Sequence, residues 1–379
     1  MDEQRNAMVA QVFSLPELIR GQYADLEPKT RKALSTPEIF SIQKIILTGC
    51  GDSWAAALTV KSAFEKLTRL PVETVTAIDL ARFYDKGQLG FAPNNPLVIA
   101  VSNSGTGARV DEAVQRAMHH GAFVLGITGN EASPLALHSS RIVKMEIPSF
   151  ASAPGTRTYG VSLLALLLLA IRIGEVRGRY TMDHAGALRA DILAQASALA
   201  EALPAMDASV SRIYGAWEGI EAWDFTGAGP DYGSAWYGHA KIFEAAGQYA
   251  MHINSEEWLH LNFFMRRAEH LGTVVVSGAH NAAKSRTREL IGYAGKLARP
   301  LLVVTDGAAS ELGAKEIQVV RYPASAFAES VDLFQFAPLS LLAARAMARL
   351  GEKDGRGCEG AWSFSAGGAA VKNSEIQIL

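Results

Sequence analysis

At 379 residues the chain exceeds one ordinary hydrophobic core and is comfortable for two domains. Apolar residues at 49% and charged ones at 20% describe a globular chain with ample material for buried sheets. A net charge of −2, without a basic block or aromatic–basic interleaving, argues against a nucleic-acid or membrane-surface partner.

The opening, "MDEQRNAMVAQVF", is polar and acidic, unlike a secretory signal, so a cytoplasmic location is expected. Residues 1–40 read as a helical segment. "KIILTGCGDSWAAAL" (44–58) follows as an apolar strand, a T-G-x-G turn and a helix of small residues. The turn begins like a dinucleotide fingerprint, yet Trp54 stands where the third glycine would allow close helix packing. Asp79, in "AIDLARF", would be the ribose-binding acid of that reading, but it equally reads as an N-cap opening a helix. No lysine closes a G-x-x-x-x-G-K-[ST] pattern, which excludes a P-loop. Cys50 and Cys358 form neither a CxxC pair nor a disulfide framework. With no HExxH or clustered cysteine–histidine set, no catalytic metal and no cofactor are expected.

"AVSNSGTGARVDEAV" (100–114) is the most specific stretch. A strand ending at Val101 and a helix starting near Ala108 leave Ser102, Asn103, Ser104, Gly105 and Thr106 at a helix N-terminus. Unpaired backbone N–H groups and the helix dipole there favour an anion, and a glycine lets the backbone come close. Hydroxyl groups would complete a phosphate cradle. The alternative is a serine-rich N-cap and turn, which these residues build routinely.

"VLGITGN" (124–130) supplies another strand and turn, and "VSLLALLLLAI" (161–171), too short to span a bilayer, reads as a buried helix between layers. An alanine-rich helical connector covers 184–215, and the pattern then starts again. "AWDFTGAGPDYGSAW" (222–236) repeats the T-G-x-G design at an offset of 178 residues. "VVVSGAHN" (274–281) repeats "LVIAVSNSG" (97–105) at 175, aligning Ser277 with Ser102. "LVVTDGA" (302–308) repeats "VLGITGN" at 177. Three strand-plus-turn pairs at nearly one offset read as a tandem duplication. Strands alternating with helical stretches (107–119, 283–297) predict an α/β fold of two tandem, doubly wound parallel sheets. The expected division is a helical segment (1–40), a first domain (41–183), the connector (184–215), a second domain (216–352) and a glycine-rich tail (353–379). The second half loses most of the hydroxyls, so one phosphate site per chain is expected, in the first half.

"CGDS" and "SNSGT", each at a strand end, resemble the sugar isomerase (SIS) domain family, whose members bind phosphosugars. The resemblance runs from about residue 40 and is to the tandem type. That type includes the isomerase half of glutamine–fructose-6-phosphate aminotransferase, free-standing aminosugar-phosphate deaminases and fructosamine-phosphate deglycases. It implies that Ser53, Ser102, Asn103, Ser104 and Thr106 hold the phosphate, with Gly51 and Thr156 (in "APGTRTY") near the sugar. Thr106 lies one residue before the family's threonine position, which Gly107 occupies. In "AKIFEAAG" the resemblance assigns Lys241 and Glu244, which also share one helix face by spacing. It assigns His260 in "EEWLH", where Leu261-Asn262 replaces the family's glycine–proline. It assigns Lys372 in "AAVKNSEIQIL" as the tail lysine. It further implies a homodimer in which His260 serves the neighbour's site.

The chemistry implied is a proton transfer between adjacent carbons of an open-chain sugar. It needs a sheltered carboxylate base, Glu244, and a group titrating near neutrality for ring opening, His260. It needs a lysine for a Schiff base or an oxyanion, Lys372, with Lys241 holding Glu244 ionised or contacting the substrate. No glutaminase segment or N-terminal cysteine nucleophile is seen, so deamination, deglycation or isomerisation of an aminosugar phosphate is expected. A non-catalytic phosphosugar sensor is the second class; turnover separates the two.

Overall fold

The computed structural model describes residues 6–313, 317–353, 355–356 and 371–379. Helices α1 (Ala7–Phe13), α2 (Leu15–Ala33) and α3 (Thr36–Ser41) precede the first sheet. That sheet is built from β1 (Ile45–Gly49), α4 (Asp52–Thr68), β2 (Val72–Thr74), α5 (Ala77–Arg82), β3 (Leu97–Val101), α6 (Ala108–His119), β4 (Phe123–Thr128), α7 (Pro134–Leu137) and β5 (Arg141–Lys144). The long helices α8 (Arg157–Val176) and α9 (Met182–Gly215) follow. The second sheet uses β6 (Ala222–Gly227), α10 (Asp231–Ala246), β7 (Tyr249–Asn254), α11 (Ser255–His260), β8 (Leu271–Val276), α12 (Lys284–Lys296), β9 (Leu301–Thr305) and β10 (Val319–Arg321), and α13 (Ala337–Arg349) closes the fold.

Every strand pair is parallel. The strand orders are β2-β1-β3-β4-β5 and β7-β6-β8-β9-β10, the same 2-1-3-4-5 order twice. The predicted pair of doubly wound α/β sheets is therefore what forms. The strands read as continuous apolar runs because both faces are covered. Ile45 and Leu47 face one layer and Ile46 the other; Leu97, Ile99 and Val101 likewise oppose Val98 and Ala100. The inner faces of both sheets, with α2, α4, α8, α9, α10 and α13, form one continuous core. Smaller outer cores lie under α5 and α6 and under α11 and α12.

Among the described residues one helix, α8, is long and apolar enough to cross a membrane, and 83% of its apolar window is buried inside the protein. It packs between α2 and α4, the interlayer position its composition predicts. Asp79 is not the cap of its helix. Thr76 is, accepting from the Asp79 N–H at 3.2 Å and donating to Asp79 Oδ2 at 2.5 Å. Cys50 is a free, exposed thiol, and Cys358 lies outside the described residues.

Candidate functional site

In a doubly wound sheet, ligands bind beyond the carboxyl ends of the strands where the order reverses, here between β1 and β3. The loop 102–107 stands at that place, between the end of β3 at Val101 and the start of α6 at Ala108. Gly105 shapes it: its φ is +65°, and a Cβ there would fall 2.0 Å from Ser133 Oγ. The Ser102 hydroxyl accepts from the Gly105 N–H at 3.2 Å. Ser104 Oγ accepts from the Thr106 hydroxyl at 3.1 Å.

Asn103, Ser104 and Thr106 line an open cleft of about 850 Å³. Lys372 reaches the same cleft, on a segment held by the first half. Arg109 donates to Ser374 Oγ at 2.8 Å, and Arg116 Nε donates to the Leu379 carbonyl at 2.9 Å. Ser53, on the first turn of α4, is outside the cleft lining but packs beside the end of β3. A Cβ at Gly49 would lie 2.7 Å from Ser53 Cβ and 3.0 Å from the Val101 carbonyl. Gly51 is the exposed N-cap of that helix, with φ +56°.

Below the cleft lies a charged set that spans the two halves. Lys241 is fully buried, with Nζ 2.6 Å from Glu244 Oε2 and 2.7 Å from Asp52 Oδ2. A solvated i,i+3 pair is thereby excluded, since the ammonium is out of water. Nζ also stands 5.1 Å from the centre of the Tyr237 ring, which stacks on Tyr159 at 4.1 Å. Two carboxylates hold the Lys241 ammonium well above its ordinary range against the opposing effect of burial. Burial pushes the Asp52 carboxyl up to about 7; Lys241 opposes the rise and Glu244 adds to it. Gly155, which lines the cleft, connects the two regions: a Cβ there would lie 3.0 Å from Asp52 Oδ2.

Asp52 escapes sequence reasoning although it sits inside the quoted "GCGDSW". Its signal is the recurrence of an acid at the first residue of α4 and of α10, Asp52 and Asp231. The two acids do different work. Asp231 accepts from the Gly278 N–H at 2.9 Å, from Asn281 Nδ2 at 2.6 Å and from Gln335 Nε2 at 2.7 Å. A carboxylate of the chain thus fills the loop after β8, the counterpart of the hydroxyl-rich loop after β3. Burial raises Asp231 to about 6, the three donors opposing that rise.

Two other residues lie apart from the cleft. The Thr156 side chain is fully buried, its hydroxyl donating to the Pro154 carbonyl at 3.3 Å and accepting from Tyr237 at 3.5 Å. His260 is exposed at the end of α11, with Nε2 3.0 Å from Glu256 Oε1. Its helix is pinned by Trp258, fully buried and donating to Asp224 Oδ2 at 2.7 Å, which turns His260 outward. Asn262, in place of the family's proline, donates to the same carboxylate at 3.2 Å, and its carbonyl accepts from Arg299.

Residues 38–172 match the SIS domain family model. Over 211 residues the chain is 28% identical to glutamine–fructose-6-phosphate aminotransferase of Symbiobacterium thermophilum, covering 56% of this chain and 34% of that protein. The chain spans 26% to 39% of the length of the first curated relatives it matches. Among solved structures, the C-terminal domain of glucosamine-fructose-6-phosphate aminotransferase from Francisella tularensis superposes with a TM-score of 0.79 at 18% identity. It covers 92% of this chain and 97% of that one. Glucosamine-6-phosphate deaminase from Thermotoga maritima superposes with a TM-score of 0.65 at 17% identity, over 90% and 96%. Residues 38–172 thus carry a SIS domain, and the strand order of the first sheet recurs in the second.

Proposed function

We propose that this chain is an enzyme acting on an aminosugar phosphate, as a deaminase/isomerase or a deglycase, through proton transfer between adjacent carbons of the open-chain sugar. The observation that carries this reading is the Lys241–Glu244 pair. A fully buried ammonium beside a half-exposed carboxylate, next to a hydroxyl-lined cleft, is costly to build for stability alone. Glu244 is the base, Lys241 its charge partner. Ser102, Asn103, Ser104 and Thr106, with Ser53 beside them, grip the phosphate. Lys372, poised at the cleft mouth, engages the carbonyl carbon as a Schiff base or stabilises the developing oxyanion. Phosphate binding remote from the reacting carbons supplies the orientation.

His260 is exposed and does not line the cleft of its own chain, which supports a symmetric homodimer in which it opens the sugar ring at the neighbour's site. Exposed Leu261, Phe264 and Met265 beside it provide apolar surface for such a contact. Incubation with a panel of hexosamine and fructosamine phosphates, following ammonia, free amine and ketose, tests the reaction. Lack of turnover with tight binding would favour a sensor. Sedimentation of a fully active monomer at assay concentration would remove the shared site.

A further inference from the structure

We infer that Asp52 sets the basicity of Glu244 by sharing the buried Lys241 ammonium with it. The inference rests on the reading of Glu244 as the base, and it makes Asp52 a positioning residue reaching across from the first sheet's α4.

The geometry is one ammonium between two carboxylates, at 2.7 Å and 2.6 Å, with the lysine side chain wholly out of water. The groups facing Asp52 are Lys241, Glu244 and Tyr237 from α10 and Tyr159 from α8. Burial keeps both phenols neutral by raising them, so neither balances the charge. Asp52 Oδ1 is buried and without a hydrogen-bond partner among the described residues. Its acceptor capacity is spent on Lys241 alone.

Consider Glu244 without Asp52. It would form a simple ion pair with a buried ammonium and be a poor proton acceptor. With Asp52 claiming the same ammonium, the set carries one excess negative charge and takes up a proton near neutrality, as a unit. In the reaction, the Glu244 carboxylate removes the proton on the carbon beside the substrate carbonyl. The C–H electron pair passes into an enolaminate, since that carbon bears the amino group, and the same proton returns from Glu244 to the neighbouring carbon. Asp52 takes no proton from the substrate in either step.

The test is the pH profile of kcat for D52N, D52E and D52S on the substrate the wild type turns over. In D52N the acid limb should move at least one pH unit lower and kcat at its plateau should fall by roughly tenfold. KM and competition by inorganic phosphate should stay unchanged, and D52E should restore the limb. An unmoved acid limb in folded D52N, or a loss confined to KM, overturns the inference. D52S is read the same way should D52N not fold.

The pH dependence of the melting temperature gives a reading free of activity. A carboxyl raised from 3.8 to about 7 binds a proton in the folded state over that window. Its contribution to stability is full at low pH and is lost as pH rises through about 7. The wild type should show that fall, and D52N should not. Equal slopes in the two overturn the inference about Asp52. A present fall with no turnover on any sugar phosphate overturns the enzymatic reading alone.

Discussion

Gly233 of α10 rests so closely on Thr59 of α4 that a Cβ there would fall 2.2 Å from Thr59 Oγ1 and 2.4 Å from its backbone nitrogen. Asp52 lies two turns before Thr59, and Lys241 just over two turns after Gly233, so the helices run antiparallel and their far ends meet at the Asp52–Lys241 contact. The close crossing therefore sets the geometry of the charged set. G233A should push α4 and α10 apart, because the obstructing atoms include backbone that cannot rotate away. Overpacking of this kind costs about 1–3 kcal/mol, readable in the denaturant midpoint. Turnover should fall with it; an unchanged midpoint would mean that the helices slide apart freely.

Glu244→Gln keeps the shape of the carboxylate and removes its ability to accept a proton. Loss of a general base lowers rate by about 100- to 10,000-fold. Binding of the sugar phosphate, measured calorimetrically on the same protein, should change little because the loop after β3 is untouched. Equal losses in binding and rate would reduce Glu244 to a ligand contact.

The loop after β3 answers to a different measurement. Ser102→Ala and Ser104→Ala each remove a hydroxyl from the proposed cradle, and a hydrogen bond to a charged group is worth about 1.5–3 kcal/mol. Affinity for the phosphosugar should drop by about 10- to 100-fold in each, and inorganic phosphate should compete with the sugar in the wild type. Wild-type affinity in both variants would return the stretch to a turn and N-cap.

Strand, turn and helix edges around this loop were legible in the sequence. The apolar run ends at Val101 and α6 starts at Ala108, as composition and spacing require. Lys241 and Glu244 were singled out by the family resemblance, and helical spacing only put them on one face. Asp52 was not, since its partner lies 189 residues away and an acid at a helix N-terminus already has a local explanation. Thr156 shows the converse. The resemblance implied a sugar contact at Thr156, whereas its hydroxyl is buried against the Pro154 carbonyl and Tyr237. The direction of a side chain at a helix start depends on tertiary packing, which local pattern does not carry.

His239 marks an acid-sensitive place away from the cleft. Its ring stands 4.3 Å from that of His252, among Trp236, Phe243 and Tyr232. Burial, and then the neighbouring imidazole, pull His239 from 6.5 down to about 4; burial also lowers His252. A base whose folded pKa is depressed contributes stability above its unfolded value that is lost as pH falls toward the folded one. Melting temperature should therefore decline between pH 6.5 and 4, and His239→Phe should make that decline shallower. An unchanged slope would mean that the pair repacks on protonation.

Lys372 is exposed where it lines the cleft, so packing does not explain a lysine there. The segment after it is anchored on α5 and α6: Arg82 reaches the Glu375 carbonyl, Arg109 reaches Ser374 and Glu375, and Arg116 and His120 both reach the Leu379 carbonyl. These contacts tether the segment that follows Lys372, and Lys372 lines the same cleft as Asn103, Ser104 and Thr106. If the amine acts on the sugar carbonyl, Lys372→Ala should depress kcat more than affinity, and deleting residues 372–379 should do the same. Arg116→Ala should produce a milder form of that loss by loosening the anchor while keeping the amine. Borohydride trapping with substrate separates the two roles open to the lysine: a Schiff base is reduced to a stable adduct at Lys372, and an oxyanion partner gives none. Full activity in the truncated protein would remove Lys372 from the reaction and leave Glu244 with its buried lysine as the whole of the chemistry in this chain.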